Sequence, residues 1–234
     1  MNSNESSSSG NRRNFLGTLA TGAAAIGLTT LAPTINAFAS ETPIMPSVSG
    51  DPEAMFNKIT GKHRIVFDAT QPHELFPFAW PRVFLMTNEM TGTMSKDCSV
   101  VVVLRHSAIC YAMEDRLWEK YKLGEVCKAN DPATGKPATR NPFWKPKDGA
   151  YKVPGIGEVK IGIDQLQTSG AMFCTCEAAF TVYSAAVAGS MNLDAAEVRK
   201  DWVSGILPGI QPVPSGVWAL GRAQEKGCGY IFAG

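Results

Sequence analysis

The chain has 234 residues, with 22 Lys and Arg against 21 Asp and Glu, a formal charge of +1. Near-neutrality without a basic run leaves no electrostatic footprint for nucleic acid or another polyanion. Six cysteines spread over this length do not describe a disulfide-stapled mini-protein, because a chain of this size buries a sufficient core without them.

In chain order, residues 1–39 read as an export signal outside the fold. A serine-rich start leads to Arg12-Arg13 before Phe15-Leu16. An uncharged run from Gly17 to Ala32 follows, and Ala37-Phe38-Ala39 supplies a small-x-small cleavage site. The paired arginines resemble a twin-arginine signal, with Asn11 where Ser or Thr is usual and Gly17 where Lys is frequent. An ordinary secretory signal or a membrane anchor is the competing reading. The expectation is a periplasmic protein that uses the twin-arginine export machinery. Loss of Glu5, Arg12 and Arg13 with the signal brings the charge to zero. No later apolar run is long enough to span a membrane.

Residues 40–61 read as an extended arm with one helical turn near Pro52–Lys58, and residues 62–234 as one α/β domain. His63–Ala69 is the first strand, followed by a loop and a helix from Phe78 or Pro81 to Thr91. The run Ser99–Leu104 is β-branched without alternation, which indicates a strand buried on both faces. Ile109, Met113, Leu117 and Tyr121 then recur every four residues, predicting one helix that closes at Gly124. Residues 125–158 break the rhythm with six Pro- or Gly-containing turns, and insert Phe143, Trp144 and Tyr151. That segment is a lid, an oligomer contact or a solvated excursion. Ile161–Gln167 is a short helix, residues 170–176 a strand, and a further helix ends near Gly189. Asp194 opens another helix, Ile210–Val213 is a fourth strand, Ser215 caps the next helix, and Cys228–Phe232 is a fifth strand. Strands and helices alternating in this way define a doubly wound, mostly parallel five-stranded sheet.

In such sheets ligands sit beyond the carboxyl ends of the strands. Gln71 and His73 follow the first strand, His106 and Ser107 the second, Cys174 and Cys176 close the third, and Ser215 follows the fourth. Cys176 falls where strand becomes helix, and the first free amides of a helix favour a thiolate. With His106 it forms a candidate thiolate–imidazolium pair. Cys174 and Cys176, two apart on a strand, share a face if the strand is regular. They then present both thiols to one ligand, as a reducible disulfide or, with His106, as a Cu(I) site. Otherwise Cys174 packs in the core and only Cys176 reaches the edge. The chain has no dinucleotide glycine fingerprint, P-loop, nucleophile elbow or paired-histidine zinc motif. No cofactor or resident metal is expected.

The Val-rich strand ending in His106, the sequence Gly170-Ala-Met-Phe-Cys174 and Cys176 leading into a helix appear in a set order. Gly209-Ile-Gln-Pro-Val-Pro-Ser-Gly-Val-Trp-Ala-Leu and a closing Gly-x-x-Tyr-Ile strand complete it. Over residues 62–234 this order resembles the DsrE/DsrF-like family of sulfur-relay and related proteins. The resemblance implies a small α/β domain that assembles into trimers or hexamers. In some members a cysteine at the end of the third strand carries persulfide sulfur, received from or passed to a partner protein. Cys176, or with a poorer alignment Cys174, takes that place here. The export signal and the 125–158 insertion depart from the family pattern. A non-catalytic module binding a metal or small ligand at the same edge is the alternative function.

Overall fold

The computed structural model describes residues 50–234. Arg12, Arg13, Ala37, Ala39 and the start of the arm lie outside the described residues. The central sheet is five-stranded and all-parallel, built from β1 (His63–Ala69), β2 (Cys98–Leu104), β5 (Met172–Cys176), β6 (Ile210–Val213) and β7 (Gly229–Phe232). Its spatial order is β6-β5-β2-β1-β7. A separate antiparallel hairpin joins β3 (Lys152–Val153) to β4 (Gly157–Glu158). Strand β2 occupies the centre, paired with β1 from His63↔Cys98 to Ala69↔Leu104 and with β5 from Val101↔Met172 to Leu104↔Thr175. All seven of its residues are buried. That is why its valines run without alternation: Val100 and Val102 face one layer, Val101 and Val103 the other. Burying each fully contributes roughly 1.5–3 kcal/mol.

The two layers are unequal. The larger packs α1 (Phe76–Met90), α2 (Asp115–Tyr121), α4 (Ile163–Thr168), α5 (Glu177–Met191) and α6 (Ala195–Ser204) over one face. The smaller packs α7 (Gly216–Glu225) over the other, through Ala219, Leu220 and Ala223. Met55, Phe56 and Ile59 join that second layer, with Phe56 edge-on to Trp218 at 5.6 Å. The helical turn expected in the arm is therefore present, as Phe56–Lys58, but belongs to the core.

Two expectations are corrected. The single helix from Ile109 to Gly124 is three pieces: a tight helical segment His106–Ala112, then α2, then a four-residue helix α3 (Leu123–Val126). The carbonyls that would continue the first helix are taken elsewhere. Asn141 Nδ2 donates to the carbonyls of Tyr111 (2.8 Å) and Met113 (3.0 Å), Trp118 Nε1 also donates to Met113, and Leu207 N–H to Ala112. Ile109, Met113, Leu117 and Tyr121 are nonetheless all buried, so the period reported burial, not helix continuity.

The 125–158 segment is likewise no solvated excursion. Phe143 is fully buried and stacks on Phe78 at 4.2 Å and on Tyr151 at 5.4 Å. The Tyr151 hydroxyl donates to the Pro142 carbonyl at 2.6 Å. The insertion is an extension of the larger core.

Candidate functional site

The carboxyl ends of β1, β2 and β5 lie side by side, and the polar residues at those ends are organised around two anchors. The first is Cys176. It is the last residue of β5 and the N-cap of the fifteen-residue α5, where its sulfur accepts the Ala179 N–H at 3.3 Å. The preceding amide, Ala178 N–H, donates to the Pro214 carbonyl at 3.2 Å. Glu177 follows, buried, and pairs with Arg199 at 2.6 Å. Burial pushes the Glu177 carboxyl above its ordinary pKa, and the Arg199 charge and hydrogen bond limit the rise.

The second anchor is Arg105, one residue past β2. Its guanidinium forms a two-pronged contact with Asp68 of β1, Nε–Oδ1 at 2.6 Å and Nη2–Oδ2 at 2.9 Å. Asp68 is 1% exposed, and the Tyr230 hydroxyl donates to its Oδ2 at 2.8 Å. Losing one partner of such a buried pair strands the other charge, at a cost of about 3–5 kcal/mol. The hydrogen bonds to Asp68 hold Arg105 above its usual pKa against the opposing effect of burial, and the charges of Tyr230 and Cys176 add to them. Arg105 is thus a cation fixed at the carboxyl edge of the sheet by Asp68. Gly216, first residue of α7, makes room for it: a Cβ there would come within 2.5 Å of the Arg105 side chain.

His106 follows Arg105 at the end of β2 and opens the tight helical segment. It holds a left-handed φ of 50°, uncommon outside glycine but tolerated by His. Its ring meets the Tyr183 hydroxyl at 3.1 Å from Nδ1 and 3.3 Å from Nε2. Desolvation lowers its pKa below the ordinary value, Arg105 lowers it further, and a hydrogen bond with the Thr70 backbone partly offsets both. The hydrogen bonds of the His106 ring go to Tyr183, and none joins it to Cys176 among the described residues. Tyr183 itself is pushed up to about 12, first by burial.

Cys174 and Cys176 pack in different clusters, although β5 stays in register through Cys176↔Val213. Cys174 belongs to the smaller layer, whereas Cys176, where the strand turns into the helix cap, belongs to the larger. Burial pushes the Cys174 thiol well up, and the neighbouring Cys176 adds to the rise. Among the described residues no three His, Cys, Asp or Glu side chains converge on a metal position. The Cys174–Cys176–His106 metal set is not assembled.

The remaining edge residues have structural partners. Ser215 caps α7, accepting the Trp218 N–H at 3.2 Å. The Ser107 hydroxyl points at the Thr70 carbonyl from 3.5 Å. Gln71 donates its backbone N–H to Gly234, and the exposed His73 ring packs edge-on against Phe76 at 5.0 Å. No hydrogen bond joins Gln71, His73 or Ser215 to Cys176 among the described residues.

Sequence reasoning missed Asp68, Arg105, Tyr183, Glu177 and Tyr230. Asp68 and Arg105 carried a readable signal, since Asp68 interrupts an apolar run near the end of β1 and Arg105 directly follows the valines and leucine of β2. Thr175, also fully buried, keeps a hydroxyl with no hydrogen-bond partner one residue before the thiol. No protein-family model and no curated protein matches the chain.

Proposed function

We propose that this protein is an exported, thiol-dependent sulfur carrier or sulfurtransferase-like protein of DsrE-like type, with Cys176 as the sulfur-bearing residue. The observation that carries the reading is the position of that sulfur, at the end of β5 and accepting the Ala179 N–H in the first turn of α5. A helix-opening amide that donates to a sulfur favours its negatively charged form. In the proposed step the Cys176 thiolate attacks the outer sulfur of a donor persulfide, R–S–SH. The donor S–S bond breaks, RS⁻ leaves with its electron pair, and Cys176 becomes Cys–S–SH. No outside oxidant is consumed. His106, in contact with the Tyr183 hydroxyl at 3.1 Å, takes the role of exchanging protons at this edge in the proposed step.

Export through the twin-arginine pathway to the periplasm belongs to the same proposal and rests on Arg12, Arg13, Ala37 and Ala39. Assembly into a trimer or hexamer belongs to it as well. Support comes from edge strand β7, which exposes Tyr230, Ile231 and Phe232. An exposed apolar edge is a surface that proteins ordinarily cover.

A second reading, a non-catalytic oligomeric module for a small ligand at this edge, draws on the burial of Cys176, which is 7% exposed. Incubation with a low-molecular-weight persulfide followed by intact-mass measurement separates the two. The carrier reading expects one added sulfur, +32 Da, absent in Cys176→Ser and retained in Cys174→Ser. No adduct on the folded wild type, or one that survives Cys176→Ser, would leave the binding module as the better account.

A further inference from the structure

The 125–158 insertion lines a cavity of about 210 Å³, with Leu75, the residue before α1, completing it. Its walls are apolar and stiff. Pro132, Pro142 and Pro146 have a fixed φ and no N–H to donate, and Tyr151 lies among them. The Tyr151 hydroxyl already donates to the Pro142 carbonyl at 2.6 Å. The surrounding backbone is tied down on both sides. Asn141, fully buried, donates its backbone N–H to Asp115 Oδ1 at 2.9 Å and its side-chain amide to the Tyr111 and Met113 carbonyls. The Tyr151 carbonyl accepts the Val159 N–H at 3.0 Å. A concave, apolar, preformed space with a few polar groups is what small-ligand sites share.

Two opposite charges line this cavity, Asp131 and Arg140. Among the described residues neither is in an ion pair, with each other or with a third group. Asp131 Oδ1 accepts the Ala133 N–H at 2.8 Å, which fixes the carboxylate and leaves its second oxygen for a ligand. Arg140 is carried by the backbone that Asn141, next in sequence, anchors. Lys152 also lines the cavity, but it pairs in register with Glu158 across the β3–β4 hairpin, so its charge has a counterpart nearby. Unlike charges that share a small cavity without closing on each other leave room for a molecule bearing both complements.

We propose that this cavity binds a free α-amino acid with a branched aliphatic side chain. The ligand carboxylate meets Arg140, whose planar fork suits it, and the ammonium meets Asp131. The hydrocarbon part lies against Leu75 and the prolines, which offer it no polar group. Size agrees with this class. A cavity of about 150 Å³ holds benzene, and this one is larger, with room for a leucine-sized molecule. The site shares no residue with the Cys176 edge and is independent of the sulfur-carrier reading.

Isothermal titration calorimetry on the purified protein tests it with three probes: L-leucine, isocaproate, which lacks the ammonium, and isoamylamine, which lacks the carboxylate. Leucine is expected to bind about ten-fold or more tightly than either, the value of one charge-assisted hydrogen bond. Arg140→Ala should weaken leucine by a similar factor and leave isoamylamine unchanged. Asp131→Asn, which keeps an acceptor for the Ala133 N–H, should weaken leucine and leave isocaproate unchanged. The comparison of probes on the wild type decides the matter even where a variant fails to fold. No saturable heat from millimolar leucine would overturn the proposal. So would isocaproate or isoamylamine binding as tightly as leucine, or leucine binding that survives both substitutions.

Discussion

At the residue scale, His106 sets a pH dependence whose sign follows from its surroundings. Arg105, Tyr183 and the Thr70 backbone face the ring, and desolvation with the Arg105 charge depresses its pKa. The unfolded chain, with a histidine pKa of about 6.5, binds a proton before the folded protein does. Stability from this residue is therefore complete above about pH 6.5 and declines as the pH falls from there through the folded pKa. Urea titrations at pH 5.5 and 7.5 should show a larger stability difference for wild type than for His106→Gln. Equal differences would remove His106 from the account. The position of this histidine was legible in the sequence, because the Val-rich strand ends just before it. Its partner was not. Tyr183 is one of several residues on a helix face that reads as apolar, and only packing turns its hydroxyl toward the ring. Asp68, Arg105 and Tyr230 were hidden for a related reason: pairing β1 with both β2 and β7 brings them together, and no local period encodes it.

At the scale of elements, strands and caps read directly because their causes are local. The β-branched run of β2, Asp194 before α6 and Ser215 before α7 each act within four residues. Cys174 and Cys176 pack in different clusters because the strand ends at Cys176, whose sulfur already caps α5, while Cys174 is still inside the ladder. The insertion could not be placed from sequence since its turns carry no period, although Phe143 and Tyr151 were visible in it. A mobile lid and a core extension differ in what a large-to-small change costs. Phe143→Ala should lower unfolding stability by about 3–5 kcal/mol, as for a buried aromatic. Lys145→Ala, in the same segment and exposed, should stay within about 0.5 kcal/mol. Equal and small losses in urea denaturation would mean that the insertion does not support the larger layer.

At the scale of the whole molecule, the alternation of strands and helices was enough to derive a parallel sheet with helices on both faces. The spatial order β6-β5-β2-β1-β7 was not, since it depends on which edge each crossover chooses. That order places the site where three strand ends are adjacent and puts β7, with its exposed Tyr230, Ile231 and Phe232, at one margin.

The seating of β7 beside β1 also bears on the route by which the chain folds. Tyr230 and Asp68 are 162 residues apart, whereas Arg105 and Asp68 are 37 apart. Closing the longer loop costs about 1.3 kcal/mol more in chain entropy, on a logarithmic dependence on length. Few buried contacts repay that cost, because all four residues of β7 remain exposed. The β1–β2–β5 centre should thus form in the folding transition state and β7 should dock after it. Stopped-flow chevrons should then give Val102→Ala an appreciable φ-value and Ile231→Ala one near zero, so that loosening β7 speeds unfolding and leaves the folding rate nearly unchanged. A high φ-value at Ile231 would instead make closure of the longest loop the step that commits the chain.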